Sequence, residues 1–163
     1  MQIQRIMTTD VKTCAPHDDL TVAAHLMWEN DCGCLPVLDQ DRKIRGIITD
    51  RDICMAAYTQ GQRLRDIQVQ NAMSREVFFC QPDQELEHVE QLMQHRQIRR
   101  VPVVNEENIL VGVLSINDIA RHSNGNSNGK RHGSKAGVSA KEVTETLAAI
   151  CEPRSHRPRL AVS

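Results

Sequence analysis

No stretch of the chain stays apolar for the ~18 consecutive residues that a membrane span requires, and Met1-Gln2-Ile3-Gln4-Arg5 lacks the apolar core of a secretory signal. A cytoplasmic protein with no membrane partner is expected. Neither sign of charge is in excess, since 20 Lys and Arg stand against 21 Asp and Glu, so net charge gives no argument for a nucleic-acid or membrane partner. The tail is locally basic: Lys130, Arg131, Lys135, Lys141, Arg154, Arg157 and Arg159 oppose only Glu142, Glu145 and Glu152. It reads as a solvated segment, and nucleic acid is not an expected partner. Missing as well are a glycine-rich phosphate loop, a nucleophile with an evident base and a metal-ligand set. An enzyme is therefore not expected; a thiol enzyme around Cys32 and Cys34, or a hydrolase using Asp50 and Asp52, would be the alternative. In a cytosolic chain the six cysteines favour free thiols over a disulfide framework. Cys14 and Cys80 read as small buried residues beside a cleft.

What the chain does have is a copy of itself. Ile6 to Ile53 reappears without a gap as Ala72 to Ile119, 66 positions later, which superposes Met7 on Met73, Pro16 on Pro82, Leu20 on Leu86, Pro36-Val37 on Pro102-Val103, Gly46 on Gly112 and Asp52-Ile53 on Asp118-Ile119. The shared positions are periodic apolar residues that build a core, and Pro, Gly and Asp that shape turns and sites. A duplicated unit has a duplicated cleft.

Each copy reads as an extended segment, a helix, a strand, a tight turn, a strand and a helix. The extended segments are Thr8 to Pro16 and Ser74 to Pro82, biased by their prolines. Leu20, Ala23, Ala24, Leu26 and Met27, and likewise Leu86, Val89, Leu92 and Met93, recur at helical spacing. Asp18 or Asp19, and Asp83, are the expected N-caps. The runs Leu35 to Leu38 and Val101 to Val104, each followed by a polar turn and then by Ile44 to Thr49 or Leu110 to Ser115, read as strand pairs, with Pro36 and Pro102 demanding strand starts or edges. Helices Arg51 to Gln60 and Asn117 to His122 close the copies, and Leu64 to Ala72 connects them. Residues 2–60 and 61–122 are thus the two repeats. Ser123 to Gly137, rich in Ser, Asn, Gly and Lys, reads as a flexible linker within 123–138. In 139–163, Ser139 and Glu142 form a capping box before a short stripe of Val143, Leu147 and Ile150. Such a helix either docks on the body or a partner subunit, or stays partly disordered.

Thr49-Asp50-Arg51-Asp52 and Ser115-Ile116-Asn117-Asp118 each place a carboxylate three residues after a hydroxyl at a strand-to-helix turn. Such a carboxylate can accept bonds from vicinal ribose hydroxyls, while the hydroxyl and the helix N-terminal amides lie near phosphate. Equally, these residues can simply cap the helices, and the two readings stay open.

The pattern in each copy, x-Pro, amphipathic helix, h-Pro-Val-h and Gly-h-h-[Ser/Thr]-x-x-Asp-Ile, resembles the CBS domain, named after cystathionine β-synthase, and two copies resemble the CBS-pair regulatory module. The resemblance covers residues 2 to 122. It implies a mixed α/β (α+β) fold of two βαββα repeats related by a pseudo-two-fold axis, commonly dimerised into a flat disc. It implies a non-enzymatic signalling module that binds an adenosine-containing effector, such as AMP, ADP, ATP, NAD or S-adenosylmethionine, between the repeats and acts on a protein target in trans. A structural dimerisation module with empty clefts is the alternative. By the same resemblance Leu35 and Val101 pack near adenine, the backbone around Thr13 and Phe79-Cys80 meets the base edge, and Arg99 and Arg100 reach phosphate. The clefts are unequal: Gly33-Cys34 replaces Arg99-Arg100 in the first repeat, and Asn117 replaces Arg51 in the second. A guanidinium suits phosphate because its planar fork donates two parallel hydrogen bonds. The amphipathic helices Leu20 to Met27 and Leu86 to Met93 are the expected homodimer surface.

Overall fold

A computed structural model describes residues 1–124 and 139–153. Of the linker expected over 123–138, Ser123 and Asn124 instead finish the last helix of the second repeat; the rest of it, like the tail beyond Pro153, lies outside the described residues.

In the first repeat α1 (Leu20–Glu29) precedes the antiparallel pair β1 (Cys34–Leu38) and β2 (Ile44–Thr49), and α2 (Asp50–Gln60) follows. The second repeat has α3 (Leu86–Arg96), β3 (Arg100–Val104), β4 (Leu110–Ser115) and α4 (Ile116–Asn124) in the same order. Details of the turns recur too: Asp39 Oδ1 accepts from the amides of Asp41 and Lys43, and Asn105 Oδ1 from those of Glu107 and Ile109. Lys43 pairs with its own equivalent, Ile109, where the pseudo-two-fold axis passes.

The extended lead-in segments form single bridges instead of full strands. Cys14 donates to Pro36 O at 3.2 Å and accepts from Leu38 N at 2.9 Å, and Cys80 repeats this with Pro102 and Val104. The next ladder bond would need an N–H from Pro36 or Pro102, and proline has none. Both prolines thus sit inside their strands with the missing donor turned to this poorly paired edge.

The lead-ins also cross between repeats. Thr8 pairs with Val113 on β4, and Ser74 with Ile47 on β2. Ile3 and Ile6 are buried in the core of the second repeat beside Val89, Met93 and Leu114, while Ile67 and Val69 are buried in that of the first beside Leu20, Ala23 and Ile48. Gly46 and Gly112 permit the crossing: a Cβ on Gly112 would lie 3.0 Å from Thr8 O, and one on Gly46 2.7 Å from Ser74 O.

Asp19 caps α1, its Oδ1 accepting from Thr21 N and Val22 N. Asp83 does not cap α3. The N-cap is Glu85, the repeat equivalent of Asp19, which makes no side-chain cap bond and instead pairs with the Met1 amino terminus.

The C-terminal helix docks. α5 (Ala140–Cys151) begins at the expected Ser139–Glu142 capping box and packs on α3 and α4. It buries Thr146 and Ile150, with Val143 partly covered, whereas Leu147, expected in the buried stripe, is 43% exposed. The reason is polar: Gln94 Nε2 donates to Thr146 Oγ1 at 2.8 Å, which turns Thr146 inward. Beneath α5 lies Glu90, 8% exposed, with Oε1 unpartnered among the described residues. Burial, then the charges of Glu142 and Glu87, push its carboxyl above the usual range.

Candidate functional site

Strand β4 ends at Ser115, and α4 starts against it. Asp118 Oδ2 accepts from Ser115 N at 2.8 Å and from Ser115 Oγ at 2.5 Å, and Asp118 N donates to Ser115 Oγ. Thr49 and Asp52 repeat the arrangement, with 2.9 Å and 2.7 Å bonds to Asp52 Oδ2. Both turns are therefore capping boxes. They differ at the second carboxylate oxygen. Asp118 Oδ1 accepts from Thr8 Oγ1 at 3.2 Å and from Arg121 Nη2, whereas Asp52 Oδ1 has no partner among the described residues. Met55 stands where the repeat would place Arg121, and the Ser74 hydroxyl, equivalent to that of Thr8, turns to Glu76 O.

Two clefts open between the repeats. A narrow one of about 270 Å³ is walled by Thr8, Asp10 and Lys12 of the lead-in, by Asn30, Cys32, Cys34 and Pro36 of the first repeat, and by Arg100, Val113, Ser115 and Asp118 of the second. A wider one of about 690 Å³ lies on the other side of the lead-in, where Thr13, Cys14 and Asp18 face Asp39, Arg42 and residues 109–112. Small-molecule sites typically occupy ~300–1,000 Å³. The narrow cleft carries the chemistry. Arg100 is half-buried in its wall and makes no ion pair or hydrogen bond among the described residues, while Lys12 is held by Asp10 at 2.9 Å. Burial raises the Cys34 thiol above its ordinary range, and Arg100 acts the other way.

The sequence-derived candidates are thus divided. Ser115, Asp118 and Arg100 meet in the narrow cleft, and Thr13 lines the wide one. Arg99 does not join Arg100. Its Nη2 turns towards Cys151 Sγ of α5, 4.0 Å away, because consecutive residues entering a strand point to opposite faces. Leu35, Val101 and Cys80 are buried in the two cores, and burial pushes the Cys80 thiol up to about 12. Arg51 is exposed on the first turn of α2, and Phe79 is exposed beside Cys80. Sequence reasoning missed Thr8, Lys12 and Arg121. Arg121 could have been found from its i, i+3 spacing to Asp118, and Thr8 from its equivalence to Ser74.

The whole site lies within a recurring protein unit. The CBS domain family model matches twice, at residues 3–58 and 64–125. The CBS domain-containing protein YhcV of Bacillus subtilis is 39% identical over 120 residues, which span 72% of this chain and 82% of YhcV. Hypoxic Response Protein I, solved with two coordinated zinc ions, superposes with a TM-score of 0.68 at 31% identity, covering 75% of this chain and 98% of that one. Among the described residues here, no group of three or more His, Cys, Asp and Glu could hold a metal. The CBS domain pair of protein MJ0100, in complex with 5'-methylthioadenosine and S-adenosyl-L-methionine, superposes with a TM-score of 0.69 at 26% identity over 77% of this chain and 97% of that one.

Proposed function

This chain belongs to the CBS domain family, and on that premise we propose that it is a non-enzymatic regulatory module that binds an adenosine-containing effector in the narrow inter-repeat cleft. The observation that carries this reading is the uncommitted Arg100 guanidinium beside the Ser115–Asp118 turn, its cross-strand neighbour, in the wall of a cleft that both repeats line. An anion fits there, because a partly desolvated cation without a partner gains charge-assisted hydrogen bonds at little reorganisation cost. Ribose belongs at the carboxylates. In the narrow cleft Asp118 Oδ1 becomes available when Arg121, whose side chain is 69% exposed, swings away; Asp52, whose Oδ1 has no partner among the described residues, lies outside that lining and would serve a second ribose at the first repeat's turn. Because the Asp118 carboxylate is buried, the ribose hydroxyls must replace the hydrogen bond that Arg121 gives up.

The complex of the MJ0100 domain pair with methylthioadenosine and S-adenosylmethionine supports an adenosine moiety as the shared element. The phosphate-seeking Arg100 favours a nucleotide, AMP, ADP, ATP or a dinucleotide such as NAD, over a sulfonium compound. Occupancy then alters the packing of a homodimer or of a protein target in trans, in the cytoplasm. Among the described residues no helix is long and apolar enough to cross a membrane. The Asp118 carboxylate, already bonded on both oxygens, favours a second reading in which that turn only caps α4 and the clefts serve structure alone.

Isothermal calorimetry with adenosine, AMP, ATP, NAD and S-adenosylmethionine decides between them. The nucleotide is expected to bind, Asp118→Ala to weaken the narrow-cleft site by ~1–3 kcal/mol, and Asp52→Ala to weaken a second site at the first repeat's turn by as much. Wild-type affinity in both variants sinks the ribose assignment. Absence of heat or thermal shift with every compound leaves the structural reading.

A further inference from the structure

Four of the six cysteines stand singly. Cys14 and Cys80 are buried in the two cores, and burial pushes each thiol up to about 12, so neither is a nucleophile at neutral pH. Cys54 and Cys151 are exposed on different helices, α2 and α5. Cys32 and Cys34 are instead a pair, one residue apart, half-buried, and together in the wall of the narrow cleft with Arg100. Cys32 also lines a groove of about 390 Å³ between α1 and α2, which gives it a second approach from solvent.

The residue between them keeps out of the way. Gly33 turns to the start of α2, where a Cβ on it would lie 3.1 Å from Asp50 Oδ2, while its two neighbours line the cleft, as alternation along an extended chain requires. Two residues of chain span at most ~7 Å, and a disulfide joins Cα atoms ~4.4–6.8 Å apart, so a slight bend at Gly33 brings the sulfurs together. The fold itself asks for no sulfur here. Shifted by the repeat offset, Cys32 and Cys34 become Ile98 and Arg100.

We propose that Cys32 and Cys34 are a redox pair that hydrogen peroxide closes into a disulfide, narrowing the effector cleft, and that a small dithiol reopens. The Cys32 thiolate attacks one peroxide oxygen and the O–O bond breaks, giving a sulfenic acid and hydroxide, which takes up the proton that the thiol lost. Cys34, whose thiol burial raises above its ordinary range, resolves the intermediate: its sulfur displaces the hydroxyl, and its proton leaves with that group as water. Two thiols have then given two electrons to the peroxide, and two waters have formed. A dithiol returns the electrons and protons by exchange, and a bridge at the upper end of the spanning range is readily reduced, which suits a switch. At about 270 Å³ the cleft is already below the usual ~300–1,000 Å³ of ligand sites, so drawing in the wall beside Arg100 disfavours a nucleotide. That consequence rests on the proposed function, whereas the disulfide does not.

Reduced full-length protein given one equivalent of hydrogen peroxide should lose two of its six thiols. The fragment Asp31–Leu38, released by cleavage before aspartate, holds both cysteines and no other, and should become lighter by two hydrogens until dithiothreitol restores it. Cys34→Ser should keep a sulfenic acid on Cys32 that dimedone traps, and Cys32→Ser should consume peroxide at least tenfold more slowly. AMP is the probe of the cleft: it should bind the oxidised protein at least tenfold more weakly than the reduced protein and, when saturating, slow the oxidation at least tenfold. Thiols lost from Cys54 or Cys151 with the fragment mass unchanged overturn the redox pair. A closed disulfide with unchanged AMP affinity overturns the narrowing of the cleft. Reduced protein that binds no AMP removes the proposed function and the gating with it, while the fragment mass still decides the pair.

Discussion

Arg99 and Arg100 are neighbours in sequence with different surroundings, so replacing each by Ala separates a phosphate-binding role from general surface charge. Arg100 stands half-buried in the wall of the narrow cleft with no partner among the described residues, whereas Arg99 is exposed and directed towards Cys151 under α5. A charge-assisted hydrogen bond from a partly desolvated guanidinium to phosphate contributes ~1.5–3 kcal/mol net. At about 1.4 kcal/mol per decade, Arg100→Ala should weaken AMP or ATP by ~10- to 150-fold. Adenosine should bind that variant within about twofold of wild type, since no phosphate is present to lose. Arg99→Ala should leave all three ligands within about twofold, because a solvated charge at that range is screened over ~8–10 Å. Titration calorimetry at two salt concentrations supplies the numbers, with the phosphorylated ligands alone losing affinity at high salt. Equal losses from Arg99→Ala and Arg100→Ala would refute the assignment, as would a nucleotide affinity indifferent to Arg100.

Two further expectations concern what holds the module together. Glu90 binds its proton more tightly folded than unfolded, so its contribution to stability should be fully present below the ordinary glutamate value, be lost as pH rises through the raised folded value, and stay level above it. Glu90→Gln should therefore raise the melting temperature by ~2–4 °C at pH 7.5 for each kcal/mol of relieved burial cost and flatten this pH dependence; an unchanged melting curve at both pH 5 and pH 7.5 would rule that out. Gly112→Ala should destabilise by ~1–3 kcal/mol in urea titrations, because its Cβ would meet Thr8 O at 3.0 Å and Met7 Sδ at 2.8 Å and pry the lead-in from β4. A loss below ~0.5 kcal/mol, the range of an ordinary surface substitution, would show the crossing to be pliable.

How far the sequence carried differs from element to element. The strands and the helices around the two turns were legible because their signals are local: apolar period, proline placement and a hydroxyl three residues before an aspartate. The lead-in exchange was not, since Ile3 and Ile6 look the same whichever core receives them, and only the long-range pairing of Thr8 with Val113 decides. The face of α5 failed for a similar reason. Hydrophobicity alone favours Leu147, but the partner that turns Thr146 inward, Gln94, is 52 residues away. Arg99 and Arg100 were separable in principle, because residues alternate in a strand. Asp83 was assigned by residue type, although the 66-residue register with Asp19 already pointed to Glu85.

The lead-in segment is also where binding and association can meet. Thr8 bonds to Asp118 and pairs with β4 of the second repeat, and six residues later Cys14 bonds to β1 of the first, so a ligand that moves Asp10 or Lys12 pulls on both cores at once. On the far wall, Asn30 and Cys32 close the end of α1, two and four residues beyond Trp28. Cys32 lines both the narrow cleft and a groove between α1 and α2 beside Trp28, so one short turn separates the two. For the module to signal, the effector must bind the paired and unpaired states with different affinity, and any factor by which it tightens the dimer must equal the factor by which the dimer tightens it. The rigid parts of the fold favour such coupling over local accommodation. The Ser115–Asp118 capping box fixes one wall, the Gly112 contact fixes the lead-in against β4, and the turn between α1 and β1 holds Asp31 at φ 48°, a conformation its surroundings must maintain.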